Sequence, residues 1–225
     1  MTEAEWRACL SPEAMLHHLT DKASPRKLRL YAVTCCHRIA PLLSDERLKN
    51  AVEVSRRFAD GKATMVEMQA AGQIVAGIAR VWGDPLSPIS RATYAIGGAA
   101  WAATRGSAWL AAWDAAWDAR MAARDCLSDR TDWESERLWQ AGVIKDLFGD
   151  PFRSVYIHPA WLSDSSPVVQ LARVIYNEDR YGDMPFLGDA LEEAGCPDPI
   201  ILDHCRAKLT HYRGCWIVDA ILGQR

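Results

Sequence analysis

Between Leu28 and Ile39 the side chains Leu28, Tyr31, Ala32, Cys35 and Ile39 recur at three- and four-residue intervals. That spacing lines one face of an α-helix. Comparable runs predict helices over 12–22, 25–42, 45–60, 65–82, 88–127, 132–148, 167–179, 185–194, 199–206 and 214–222. The start signals agree with the runs. Ser11-Pro12, Ser24-Pro25, Ser87-Pro88 and Ser166-Pro167 each set a capping hydroxyl before a proline whose fixed φ suits the first turn. Thr64 and Glu67, like Thr131 and Glu134, have the spacing of a reciprocal capping box, and Ser44-Asp45-Glu46 puts acids in a first turn. Gly61, Gly83, Gly149 and Gly195 follow apolar runs and end them. Strict alternation occurs in "RSVYIH", Arg153 to His158, which Pro151 and Pro159 bracket. The expected class is all-α: an irregular multi-helix bundle of about ten helices, with a long Ala/Trp-rich central helix broken at Gly97-Gly98.

The longest stretch without helical pattern is "GDPFRSVYIHPAWLSDSS", Gly149 to Ser166. It predicts a boundary between an N-terminal helical bundle, 1–149, and a C-terminal helical module, 150–225. The two could equally form one continuous domain. Phe152, Tyr156 and Trp161 are too apolar for a free linker, so the segment is expected to be strapped across a core.

In the central helix Trp101, Arg105, Trp109, Trp113 and Trp117 form an i, i+4 ladder. Such a ladder drifts by about 40° per step around an ideal helix. Its members are either core or an exposed aromatic groove for a partner, with Trp113 and Trp117 as the partner-binding candidates. The drift predicts Trp101 and Trp109 buried and Trp117 nearest the surface. Asp114 and Asp118 lie one turn apart with no Lys or Arg three or four positions away, so a cation, a distant arginine or solvent must balance them.

Charge and composition narrow the functions. The 225 residues carry a net charge of −3 without a basic run, which argues against nucleic acid and against an anionic membrane surface. Tyr94 to Trp113 is long enough to span a bilayer, but it is mostly small residues around Arg105 and reads as a buried helix. The N-terminus lacks the basic and apolar regions of a signal peptide. Seven cysteines, an odd number with no framework spacing, point to free thiols in the cytoplasm.

Candidate chemistry concentrates in "HCRAKLTHYRGCW", His204 to Trp216. Cys205 shares a helix face with Ile201 and Leu202 while His204 turns away from it. Cys215 shares a face with Val218, Asp219 and Leu222. Three readings stay open. The thiols can be packed core residues. Cys205, His211 and Cys215 can hold a structural zinc with a fourth ligand from His204 or Cys36, although the gaps lack a C-x2-C knuckle. Cys215, at a helix start, can be a nucleophile with His211 as base and Asp219 one turn on. Phosphate-loop, dinucleotide, zincin and nucleophile-elbow motifs are absent.

Several blocks resemble an uncharacterised helical protein family common in planctomycete bacteria: "MTEAEWRAC", "KLRLYAVTCCHRI", "DERLKNAVEVSRRFADG", "LFGDPFRSVYIHPAWL", "PFLGDALEEAGCPDPIILDHCR" and "HYRGCWIVDAILG". The resemblance brings no activity with it. It implies a helical module that acts on another protein. The expected function is a protein-interaction or regulatory module of the cytoplasm without catalysis and without a cofactor. The alternative is a thiol- or zinc-dependent enzyme centred on His211 and Cys215.

Overall fold

A computed structural model describes residues 1–40, 45–81, 107–126 and 133–224. Among them are helices and connectors and no strand, as the hydrophobic periodicity requires. The helices are α1 Glu3–Ala8, α2 Pro12–His18, α3 Pro25–Ile39, α4 Glu46–Ala59, α5 Met65–Val81, α6 Ala108–Cys126, α7 Trp133–Phe148, α8 Pro167–Asn177, α9 Met184–Glu193, α10 Pro199–Arg206 and α11 Trp216–Leu222. Residues 88–106 of the expected central helix, with Ser87-Pro88, Gly97-Gly98, Trp101 and Arg105, lie outside the described residues, as do Gly83 and Thr131.

The start signals act as read. Ser11, Ser24 and Ser166 accept from the N–H groups of Ala14, Lys27 and Val168. Thr64 and Glu67 close a reciprocal box, Glu67 N–H donating to Thr64 Oγ1 at 3.2 Å and Thr64 N–H to Glu67 at 2.7 Å. Helix α1 was not anticipated, although "TEAE" carries the same box between Thr2 and Glu5. Six residues are too few for a period to show.

The chain divides into two compact units, Met1–Ile144 and Lys145–Arg225. In the first, α3 packs along α6 and α4, and α4 packs on α5. Helix α3 is buried on nearly every side from Leu28 to Cys36, so both Cys35 and Cys36 are interior. Apart from Arg120, the face that α6 buries is made of alanine: Ala108, Ala111, Ala112, Ala115, Ala116 and Ala119 are each at most 5% exposed. Small side chains let two helix backbones approach closely, so dispersion between backbones replaces the area that large residues would bury. Several polar groups inside this unit are paired. Arg26 meets Asp60 at 3.2 Å with both side chains buried, Arg38 meets Glu136 at 3.3 Å, and Gln140 donates to the Ala116 carbonyl at 2.9 Å.

In the second unit, α8, α9, α10 and α11 surround a core that includes Ala172, Ile175, Met184, Leu187, Ile201 and Val218. "RSVYIH" forms no strand; its alternation turns Val155 and Ile157 toward that core and leaves Tyr156 exposed. The strap is anchored at Trp161, which is buried and donates to the Ala194 carbonyl at 3.0 Å. Helices α9 and α10 cross closely at Gly188, where a Cβ would stand 3.0 Å from Cys205 Cβ.

Candidate functional site

Two places carry the expected chemistry. The first is the outward side of α6. Because the alanines take the buried face, the tryptophans fall to the flank. Trp109 and Trp113 are half-buried and stacked, with ring centroids 5.3 Å apart, and Trp109 Nε1–H donates to the Leu16 carbonyl at 3.3 Å. Trp109 is thus less enclosed than the drift predicted. Trp117 is 46% exposed, with the Arg120 guanidinium 5.6 Å from its ring centre. Leu110 and Asp114 are exposed on the same side, at i, i+4 and i+7 spacing with Trp117. Burial, joined by the charge of Asp114, pushes the Asp118 carboxyl up to about 6. Burial raises Asp114 as well.

The second place is built by four segments of the C-terminal unit. The last turn of α7 supplies Asp146, α10 supplies His204, the connector before α11 supplies His211, and Cys215 is the N-cap of α11. Arg213 holds the connector, donating to the Tyr176 carbonyl at 2.5 Å and to Asp179 at 2.7 Å. Gly149 ends α7 at φ +63°, and its missing Cβ leaves room for the Trp216 ring, which would stand 3.1 Å away. Only glycine supplies both the left-handed backbone and that space.

Asp146 Oδ1 lies 2.7 Å from His211 Nδ1 and 3.2 Å from His204 Nε2. Its other oxygen, Oδ2, accepts the Tyr212 N–H at 2.8 Å. His204 Nε2 is also 3.3 Å from Cys215 Sγ. On the far edge of that ring, Nδ1 accepts Trp216 Nε1–H at 3.3 Å. His211 Nε2 is buried with no hydrogen-bond partner among the described residues. Burial acts against the Asp146 carboxylate, but hydrogen bonds from His204 and His211 outweigh it and hold its carboxyl below the ordinary range. Burial and then the Asp146 charge push the Cys215 thiol well up, while the N–H groups of Ile217 and Val218 pull the other way.

Sequence reasoning named Cys205, His211 and Cys215 as candidate ligands, with His204 or Cys36 as the fourth. It turned His204 correctly away from Cys205 without seeing that this aims it at Cys215. Asp146 was missed, because it lies 58 residues before His204 and its neighbours read only as a helix end. Cys205 does not join the group; it packs at Gly188, and burial pushes its thiol up to about 12. Cys36 belongs to the other unit, and Asp219 is buried on α11 outside the group.

The geometry discriminates between kinds of chemistry. In a thiol–histidine–carboxylate relay the acid orients one ring nitrogen while the other takes the nucleophile's proton. Here the carboxylate and the thiol meet the same nitrogen, and Trp216 occupies the opposite one. Cys215 is also fully buried. The four groups instead present their donor atoms to one another, all within 4.8 Å, an arrangement that could hold one ion.

Among the described residues, no helix is long and apolar enough to cross a membrane, and the cysteines Cys9, Cys35, Cys36, Cys196, Cys205 and Cys215 are free. Neither a curated protein nor a solved structure matches the chain. A protein-family model described as Imm-5 like putative immunity protein matches residues 18–145, more than half of the 225 residues.

Proposed function

The chain belongs to the Imm-5 like putative immunity protein family, and from that membership we propose that it is a non-catalytic interaction protein that protects a cell by binding a harmful protein. The observation that carries the reading is the outward side of α6. It lies inside the matched segment and offers Trp117 and Leu110, 46% and 44% exposed, beside two carboxylates. A large aromatic side chain exposed beside acids that have no ion pair among the described residues suits a partner with a basic surface around an apolar pocket. Free thiols at the described cysteines support action in the cytoplasm. We extend the reading to the wider planctomycete group that the sequence blocks resemble.

The test is co-expression with candidate toxin proteins, followed by titration of any pair that restores growth. Trp117→Ala should fold normally by circular dichroism and weaken binding by a factor of about 30 or more, the size of a central aromatic contact. Asp114→Lys should slow association most at low salt. Unchanged affinity in both variants would remove α6 from the interface. Rescue without physical association would overturn the proposal itself.

A further inference from the structure

We infer that the C-terminal unit is a zinc-binding module whose ligands are Asp146, His204, His211 and Cys215. The set differs from what the local spacing suggests, since it leaves Cys205 aside and recruits an aspartate from α7. Thiolate, imidazole and carboxylate are the donors that zinc takes. Bond lengths of roughly 2.0–2.3 Å in a tetrahedron put neighbouring donors roughly 3.2–3.6 Å apart. The contacts of His204 Nε2, 3.2 Å to Asp146 and 3.3 Å to Cys215, already have that separation. The 2.7 Å pair of Asp146 and His211 must open by about half an ångström to reach it.

Charge points the same way. A zinc-bound cysteine is a thiolate, because the metal displaces the thiol proton. A buried carboxylate, Asp146, meets the same nitrogen of His204 as Cys215 does. A dication makes the group neutral, since a thiolate and a carboxylate carry one negative charge each. All four positions come from the protein and are shielded, with side-chain exposures of 3–15% for the histidines and 5% for Asp146. That closed arrangement is that of a structural site, in which no ligand position is left for a reacting water. The surroundings fix the first ligand as well: Tyr212 N–H holds Asp146 Oδ2. Bound zinc would tie the end of α7, α10, the connector and α11 together within one unit.

One feature must change on binding. With Trp216 donating to Nδ1, the proton of His204 sits on Nε2, the atom that zinc needs. Ligation moves that proton to Nδ1 and breaks the indole contact. Trp216 therefore reports on the metal.

The experiment is titration of the full, metal-stripped chain with Co2+, then competition with Zn2+. The expected result is one equivalent bound, with the intense visible bands of tetrahedral cobalt, a sulfur-to-metal charge-transfer band, and a change in tryptophan emission. Cys215→Ser should lose the charge-transfer band. Should that variant fail to fold, His204→Gln, whose ring is partly exposed, should bind at least tenfold more weakly. Wild-type protein that takes up neither ion at one equivalent overturns the inference, whatever the variants do. So does an unaltered cobalt spectrum in folded Cys215→Ser.

Discussion

Trp216 donates its indole N–H to His204 Nδ1 across 3.3 Å, on the ring edge opposite the one that meets Asp146 and Cys215. This contact and the Asp146 carboxylate together select the tautomer of His204. They hold the proton at Nε2, where it serves Asp146 Oδ1 and Cys215 Sγ together.

Replacing Trp216 by Phe keeps the ring and deletes the donor. Metal-free protein should lose about 1 kcal/mol, the net worth of one hydrogen bond. The nitrogen resonances of His204 should move from a predominantly Nε2–H pattern toward a mixture of tautomers. An unchanged tautomer in Trp216→Phe would mean that Asp146 alone sets it.

Most of the fold was readable in local pattern, and the site was readable only in part. Ser-Pro caps and the 3.6-residue stripe of α3 act within a few residues, so one sequence displays them. Packing partners do not show that way. The tryptophans of α6 attract attention by size, yet the alanines between them form the buried face, because what matters is how near α3 can come. Asp146 was invisible for a related reason. A carboxylate at a helix end is ordinary until the chain returns 58 and 65 residues later with His204 and His211. The alternation of "RSVYIH" did describe one-sided burial, but without a neighbouring strand it could not become a sheet.

Two glycines inside helices should respond in opposite directions to alanine. Gly142 of α7 has nothing within 4 Å of a new Cβ, so Gly142→Ala should stabilise by about 0.5–1 kcal/mol through helix propensity and a less flexible unfolded chain. At Gly188 the same Cβ meets Cys205 Cβ at 3.0 Å, which is not the movable end of a side chain. Overpacking of about 1–3 kcal/mol should outweigh the propensity gain. Paired urea melts decide the matter, and stabilisation of Gly188→Ala would show that α9 and α10 can part at no cost.

Arg26 at the start of α3 and Asp60 at the end of α4 form a 3.2 Å ion pair whose side chains are 8% and 2% exposed. Removing one partner takes away the compensation that this pair gives a buried charge. Asp60→Ala should therefore cost about 3–5 kcal/mol, far more than an exposed pair such as Lys49–Glu46 at 2.6 Å. The double variant Arg26→Met, Asp60→Leu should recover much of that loss, since it removes both buried charges of the pair. A double variant as unstable as Asp60→Ala would show that the pair is held for its geometry rather than its charge balance.

Asp118 gives the N-terminal unit a pH dependence opposite to that of an ordinary paired carboxylate. Burial, and next the charge of Asp114, push its carboxyl up to about 6 from an ordinary value of 3.8. The folded chain therefore holds this proton more tightly than the unfolded chain does. The group's stabilising share is complete below about pH 4 and is lost as pH rises through 6, leaving the folded state less stable at neutral pH by on the order of 1–3 kcal/mol. Asp118→Asn should raise the melting temperature at pH 7.5 and leave it unchanged near pH 4. Asp114→Asn should lower the midpoint of Asp118 by removing the neighbouring charge. The interior neighbour that senses Asp118 is Cys36 of α3, whose thiol burial raises first and the Asp118 charge raises further. Carboxyl-carbon titration by NMR measures the midpoint, and a value at or below 4 removes the argument. The same titration also reads the proposed interface. A basic partner seated on α6 stabilises the carboxylate, so binding should draw the midpoint of Asp118 downward and release a proton near pH 6, whereas a partner bound elsewhere should leave it in place.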